Sequence, residues 1–205
     1  MALVPVDLPT PTTMRGRWAA FAAILAARGW GSGAFAEPGR WHYDDGGGNW
    51  ADLHLLGDGR AVLVGHDHEY SDTYFRAAAT YFQEEETDLL ADAPDWWEPP
   101  VAAAEGDGLW VGFVYGFGGS GWSRAPYEIE DGFASLHPVF ADHERCRELI
   151  VEFVENEVET PVRPADVDAL ITADGAPTRE QLRAVADVPG WDLDAGVAAA
   201  AAFRG

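Results

Sequence analysis

The sequence predicts an α+β fold: a mainly antiparallel sheet of about 4–6 strands covered by helices, with a helical C-terminal extension. Three observations carry that expectation. Residues 51–64 alternate with a period of about two around Gly57-Asp58-Gly59, a hairpin signature. Residues 108–115 are apolar almost throughout, which suits a strand covered on both faces. Cys146, Leu149, Ile150, Phe153 and Val154 recur at helical spacing.

Taken in order, residues 1–11 hold three prolines among scattered apolar residues and predict an extended arm. Thr12 or Thr13 can cap a helix that runs to Arg28. Trp18, Phe21, Ala22 and Leu25 share one of its faces, and Gly29 is its natural stop. Residues 29–39 read as a loop. A strand over 41–44, the run Gly46-Gly47-Gly48 and the hairpin then form a three-stranded meander ending near His66.

Asp72 is placed to cap a second helix with Phe75, Ala78, Phe82 and Leu89 on its buried side. Glu84, Glu85 and Glu86 fall in its middle, a conflict that predicts a bend or an early end. Ala93-Pro94 stops it, and residues 95–100 form a turn carrying Trp96 and Trp97. The glycines of 116–121 break the central strand. Residues 122–128 and 133–136 read as edge strands, with Pro126 keeping the first from a central place.

The clearest helix covers 142–158. Its polar side carries Glu144, Glu148, Glu152, Glu155 and Glu159. Beyond Pro161 and Pro164 the composition changes, and short helices are expected over 166–171, 178–188 and 194–203. Thr178 with Gln181 fits a capping box. This divides the chain into an α+β domain, 1–159, and a helical extension, 160–205. No internal repeat is evident.

Composition narrows the function. The 205 residues include 35 acids, 13 arginines and no lysine, for a net charge of −22. That charge repels phosphates, so direct nucleic-acid binding is not expected. Nine tryptophans and ten phenylalanines argue against disorder. The single cysteine, Cys146, excludes an intrachain disulfide. No apolar run reaches the length of a membrane span. Residues 14–36 imitate a signal peptide, but Arg28 interrupts them, so a cytoplasmic location is expected.

Several stretches have the residue types of a site. His66 and His68 would face one side of a strand and so share a metal, completed by Asp72 or by Glu69, His54, His137 or His143. The bland alternative is a polar strand end. Residues 116–121 match G-x-G-x-x-G in form, but Trp122-Ser-Arg-Ala-Pro126 is a poor helix start, so a turn between strands is expected instead of a phosphate loop. Cys146 on an apolar helix face reads as a small hydrophobe. Ser120 lacks the spacing of a hydrolase elbow.

Charge is the most uneven feature. Residues 77–123 hold nine acids and no arginine (−9), and residues 124–159 hold ten acids and three arginines (−7). Together they carry −16 of the −22. The expectation is an acidic, non-catalytic binding protein of immunity or inhibitor type, needing no cofactor. It would engage a basic protein partner through Glu84, Glu85, Glu86, Glu144, Glu148, Glu152 and Glu155. Two alternatives stand beside it: a metal-dependent hydrolase at His66, His68 and Asp72, and a small-molecule binder in an aromatic pocket near Trp110, Tyr115 and Trp122.

Overall fold

A computed structural model describes residues 2–158 and 161–205, apart from the side chains of 137–139. Glu159 and the His137 side chain therefore lie outside the described residues. The fold is α+β. Its strands are β1 (Val4–Val6), β2 (Ala34–Glu37), β3 (Arg40–Asp44), β4 (Trp50–Leu55), β5 (Ala61–His66), β6 (Phe113–Phe117) and β7 (Trp122–Arg124). The helices are α1 (Pro11–Arg28), α2 (Ala77–Phe82), α3 (Glu98–Gly106), α4 (Phe133–Phe140), α5 (His143–Glu155), α6 (Pro164–Thr172), α7 (Arg179–Val185) and α8 (Leu193–Ala202). The described ladders are antiparallel. No described helix is long and apolar enough to cross a membrane.

The chain divides into two compact units. The first, the sheet unit, comprises Met1–Thr10 and Asp44–Leu136. The second, the helical unit, comprises Pro11–Tyr43 and His137–Gly205. The predicted extension therefore belongs to a unit that also contains α1 and α5.

In the sheet unit the strand order is β1-β7-β6-β5-β4. The hairpin forms as expected, with Leu53 opposite Leu63 and Leu55 opposite Ala61. β5 is covered on both sides, which explains its unbroken apolar run. Val62 and Val64 join Trp97, Val101 and Val114 in one core, and Phe113 and Tyr115 pack against Phe133. Gly116 is opposite Val62, and a Cβ there would sit 2.0 Å from the Trp97 ring. The glycine therefore makes room for the indole within the sheet.

Several expectations change here. Residues 1–11 are not a free arm, since β1 pairs with β7. β7 therefore lies between β1 and β6 and is not an edge strand, and it ends at Arg124, before Pro126 can interfere. The central strand starts at Phe113, later than expected, and 133–136 are helical. The second helix shrinks to α2, and Asp72 does not cap it. Arg76 precedes α2 at φ 46°, ψ −107°, and Gln83 closes it in the left-handed region. Arg76 pairs with Glu98 (2.9 Å) and Glu105 (2.7 Å), fixing the start of α2 to α3.

The helical unit is built around α1. Met14 and most residues from Gly16 to Leu25 are buried, so the helix is enclosed and not half-exposed as its pattern predicts. Close approach explains it. A Cβ on Gly16 would lie 2.4 Å from the Ile171 carbonyl of α6, and one on Gly196 of α8 would lie 2.6 Å from the Ala23 carbonyl. Trp18 stacks on Phe140 at 4.4 Å and donates from Nε1 to the His42 carbonyl at 3.0 Å. Residues 34–37, expected as loop, form β2 against β3. α5 follows its pattern: Asp142 accepts from Arg145 N, and Cys146, Ile150 and Val154 are buried. The Thr178–Gln181 capping box forms in both directions.

Candidate functional site

Two acidic segments and one histidine-lined cavity contain the candidate residues. The first acidic segment, in the sheet unit, includes Glu84, Glu85 and Glu86. They follow the end of α2 in irregular backbone and are exposed. Their placement resolves the conflict seen in the sequence: the helix ends before them, so none has to face the core. Among the described residues none of the three pairs with an arginine. Elsewhere in this stretch the charge is partly compensated, because Arg76, just outside the arginine-free window, takes both Glu98 and Glu105.

The second segment, in the helical unit, is the outer side of α5. Glu144, Glu148, Glu152 and Glu155 are exposed. Arginines of the same helix meet two of them: Arg147 pairs with Glu144 at 3.3 Å, and Arg145 pairs with Glu148. Glu155 accepts from Val162 N at 3.0 Å. Spacing of three turns like-charge repulsion along the helix into local pairing, and such exposed pairs are each worth roughly 0–1 kcal/mol.

The third candidate lies in the sheet unit where β5 ends. His66 is the last residue of the strand, and the chain then folds back through residues 67–73. Asp67 organises that turn. Its Oδ1 accepts from Glu69 N (2.8 Å) and Tyr70 N (2.7 Å), and its Oδ2 accepts from Ser135 Oγ. Only 1% of Asp67 is exposed, so these donors are what allow a carboxylate to be buried. Asp131 is a second collecting point: Tyr115 (2.6 Å) and Tyr127 (2.7 Å) donate to its Oδ2, and Phe133 N donates to Oδ1 at 3.1 Å. Ser71 donates to the Asp131 carbonyl at 2.6 Å, and Thr73 donates to the Gly112 carbonyl at 2.6 Å.

This framework leaves a cavity of about 200 Å³. His66, His68, Ser71, Thr73, Phe82 and Trp110 are among its lining residues. His66 Nδ1 is buried and has no hydrogen-bond partner. Burial is the main influence on this imidazole and holds its pKa below the ordinary histidine value, so the ring stays neutral. The nearby Asp67 charge opposes that shift and His68 assists it. Gly112 is what permits the arrangement, since a Cβ there would lie 2.2 Å from Ser71 Oγ and 2.9 Å from His66 Nδ1.

The structure brings His66 and His68 to one cavity, but not by the strand alternation expected: only His66 lies on β5, and His68 reaches the cavity from the turn after it. Asp72 and Glu69 line a different depression, with Glu130 and Ser135. Among the described residues no three His, Cys, Asp or Glu side chains are grouped to hold a metal ion. Of the aromatics expected around a pocket, Trp110 lines it. Tyr115 instead donates to Asp131, and Trp122 donates to the Pro9 carbonyl at 2.8 Å. The glycines of 116–121 form the turn between β6 and β7, closed by Gly118 N donating to the Gly121 carbonyl. Cys146 is fully buried, and burial pushes its thiol up to about 12.

Sequence reasoning missed Ser71, Thr73, Phe82 and Gly112 as members of one site. Gly112 alone left a trace, as a glycine inside an otherwise apolar run, where close approach of another group is a standing explanation. Compared with protein-family models, curated proteins and solved structures, the chain matches none.

Proposed function

We propose that this chain is a non-catalytic, cytoplasmic binding protein that engages a basic protein partner, in the manner of an immunity protein or inhibitor. One observation carries the reading: Glu84, Glu85 and Glu86 are consecutive, exposed and without an arginine partner among the described residues. Three adjacent carboxylates held in irregular backbone suit a lysine- or arginine-rich surface, and the overall −22 would steer such a partner during approach. On α5, Glu152 is the better contact, because Glu144 and Glu148 already have arginines. Binding to nucleic acid itself is opposed by the same charge.

The test is capture of partner proteins from native extract by the immobilised chain, with E84Q/E85Q/E86Q alongside. The reading expects a basic protein that is retained at low salt, is released as the screening length falls below about 8 Å, and associates at least tenfold more slowly with the triple variant. Retention indifferent to both salt and the three substitutions would refute it.

A further inference from the structure

Aromatic rings, guanidinium groups and carboxylates recur together on this chain. Arg28 lies over the Trp30 ring at 4.8 Å and pairs with Glu157 at 3.0 Å. Arg40 lies over Phe35 at 5.6 Å and pairs with Glu37 at 3.0 Å. Arg60 lies over Trp96 at 5.1 Å and pairs with Asp58 at 2.7 Å. Arg76 lies over Phe75 at 4.5 Å and pairs with Glu98 at 2.9 Å. The chemistry of arginine explains the recurrence. A guanidinium is planar and weakly hydrated, so its face can rest on a ring while its N–H edge donates to a carboxylate. A lysine ammonium is a compact, strongly hydrated point charge without that flat face.

The segment from Tyr74 to Thr87 presents rings and carboxylates in the same way. Thr87 N donates to the Tyr74 carbonyl at 2.8 Å and ties its ends together. Within it, α2 carries Tyr81 and Phe82, which are 70% and 44% exposed and meet each other at 5.0 Å. Both rings also meet Trp110, at 5.4 Å and 4.7 Å, so the three form one cluster. Exposed rings gathered in a patch, unlike single ones, mark interaction surfaces. Gln83 then turns the backbone in the left-handed region, and Glu84 N donates back to the Ala79 carbonyl at 3.1 Å. That turn starts Glu84, Glu85 and Glu86 against the end of the helix that carries the rings. Among the described residues, no arginine of the chain lies over Tyr81, Phe82 or Trp110. None pairs with the three glutamates either.

We infer that this patch takes an arginine of the partner protein in preference to a lysine. The guanidinium face rests on the Tyr81 and Phe82 rings, and its N–H edge donates to the carboxylates of Glu84, Glu85 and Glu86. This rests on the acidic docking proposed above and specifies the residue type that docks. Carboxylates alone would accept lysine and arginine alike. Rings alone would suit an apolar partner, and the adjacent charge opposes burying them against one.

Two equally charged probes, the acetylated and amidated pentapeptides RGRGR and KGKGK, separate these contributions at an ionic strength of about 0.15 M. The proposal expects the full chain to bind the arginine peptide about fivefold tighter than the lysine peptide. In the wild-type protein, the NMR shifts that distinguish the two peptides should centre on the Tyr81 and Phe82 rings, a readout that does not depend on any variant folding. Y81A/F82A should bring the arginine peptide down to the level of the lysine peptide. Y81A alone alters a largely exposed side chain and should move the preference the same way. E84Q/E85Q/E86Q should weaken both peptides. Equal affinities for the two peptides, shifts that lie away from the rings, or a preference that survives Y81A/F82A would each overturn the arginine assignment, and acidic docking would stand if the triple variant still weakens both. Affinities indifferent to E84Q/E85Q/E86Q would overturn the docking and the arginine assignment together.

Discussion

In the sheet unit, Asp67 and Asp131 each add a donor from another element, Ser135 and Tyr115, to donors from their own turns. In the helical unit, Asp142 and Asp192 cap α5 and α8 locally, and the glutamates of α5 meet arginines one turn away. The same residue types thus gather buried donors in one unit, while in the other they finish helices and form surface ion pairs, some of them between elements, as Arg15–Asp174 and Arg147–Asp168 are. The difference follows from backbone geometry. A helix satisfies its own interior and leaves only its ends and outer face for acids. The looped ends of a sheet leave peptide groups that need partners from elsewhere in the chain, and a buried carboxylate supplies several acceptor positions at once. Composition counts both kinds as surface charge, and only the structure separates them.

The comparison is tested most severely on the apolar side of the helical unit. Trp18→Ala should cost about 3–5 kcal/mol, because it empties the space between Phe140 and Trp41. Urea unfolding followed by far-UV circular dichroism measures this, and a loss under about 1 kcal/mol would show that α1 is not the centre of its unit.

Next in size is an alkaline effect specific to the sheet unit. Tyr115 and Tyr127 are both pushed well above the ordinary phenol value, first by burial and then by the Asp131 charge. Unfolded tyrosine ionises near pH 10, while these two keep their protons when folded. The folded state therefore holds more protons than the unfolded state above that pH. Stability is intact below about pH 10 and declines above it, by about 1.4 kcal/mol per tyrosine at pH 11. The chain has no lysine to confuse the measurement. The buried thiol is a second contributor, starting near about pH 8.5, and Cys146→Ser removes it. Equal unfolding midpoints at pH 8 and pH 11 in that variant would dismiss the Asp131 hub.

The smallest effect belongs to the outer face of α5. Glu148→Gln breaks an exposed pair with Arg145 and should shift stability by less than about 0.5 kcal/mol. A larger loss would mean that these acids share the structural role seen in the sheet unit.

Helical periodicity made much of the helical unit legible. The stripe from Cys146 to Val154 and the Thr178–Gln181 box both state a local geometry that packing then respects. Gly57-Asp58-Gly59 similarly announced the β4–β5 hairpin. What failed to show was long-range. Phe75, Ala78 and Phe82 imitate one face of a helix, yet the helix begins only at Ala77 and Phe82 ends up exposed at the cavity rim. Nothing near Asp67 signals that Ser135, 68 residues away, will donate to it. His66 and His68 were recognised as a pair by extending a strand through both, whereas the strand ends at His66 and the turn after it carries His68 to the cavity. Ser71 and Gly112 join them only through β5–β6 packing, which no local pattern encodes.

The lone sulfhydryl of α5 has a practical corollary. At 0% exposure and with its proton held tightly, it is silent toward alkylating agents while its surroundings stay closed. Each molecule thus carries one latent chemical counter. The rate at which an added maleimide is consumed reports how often the helical unit opens, with no engineered label required.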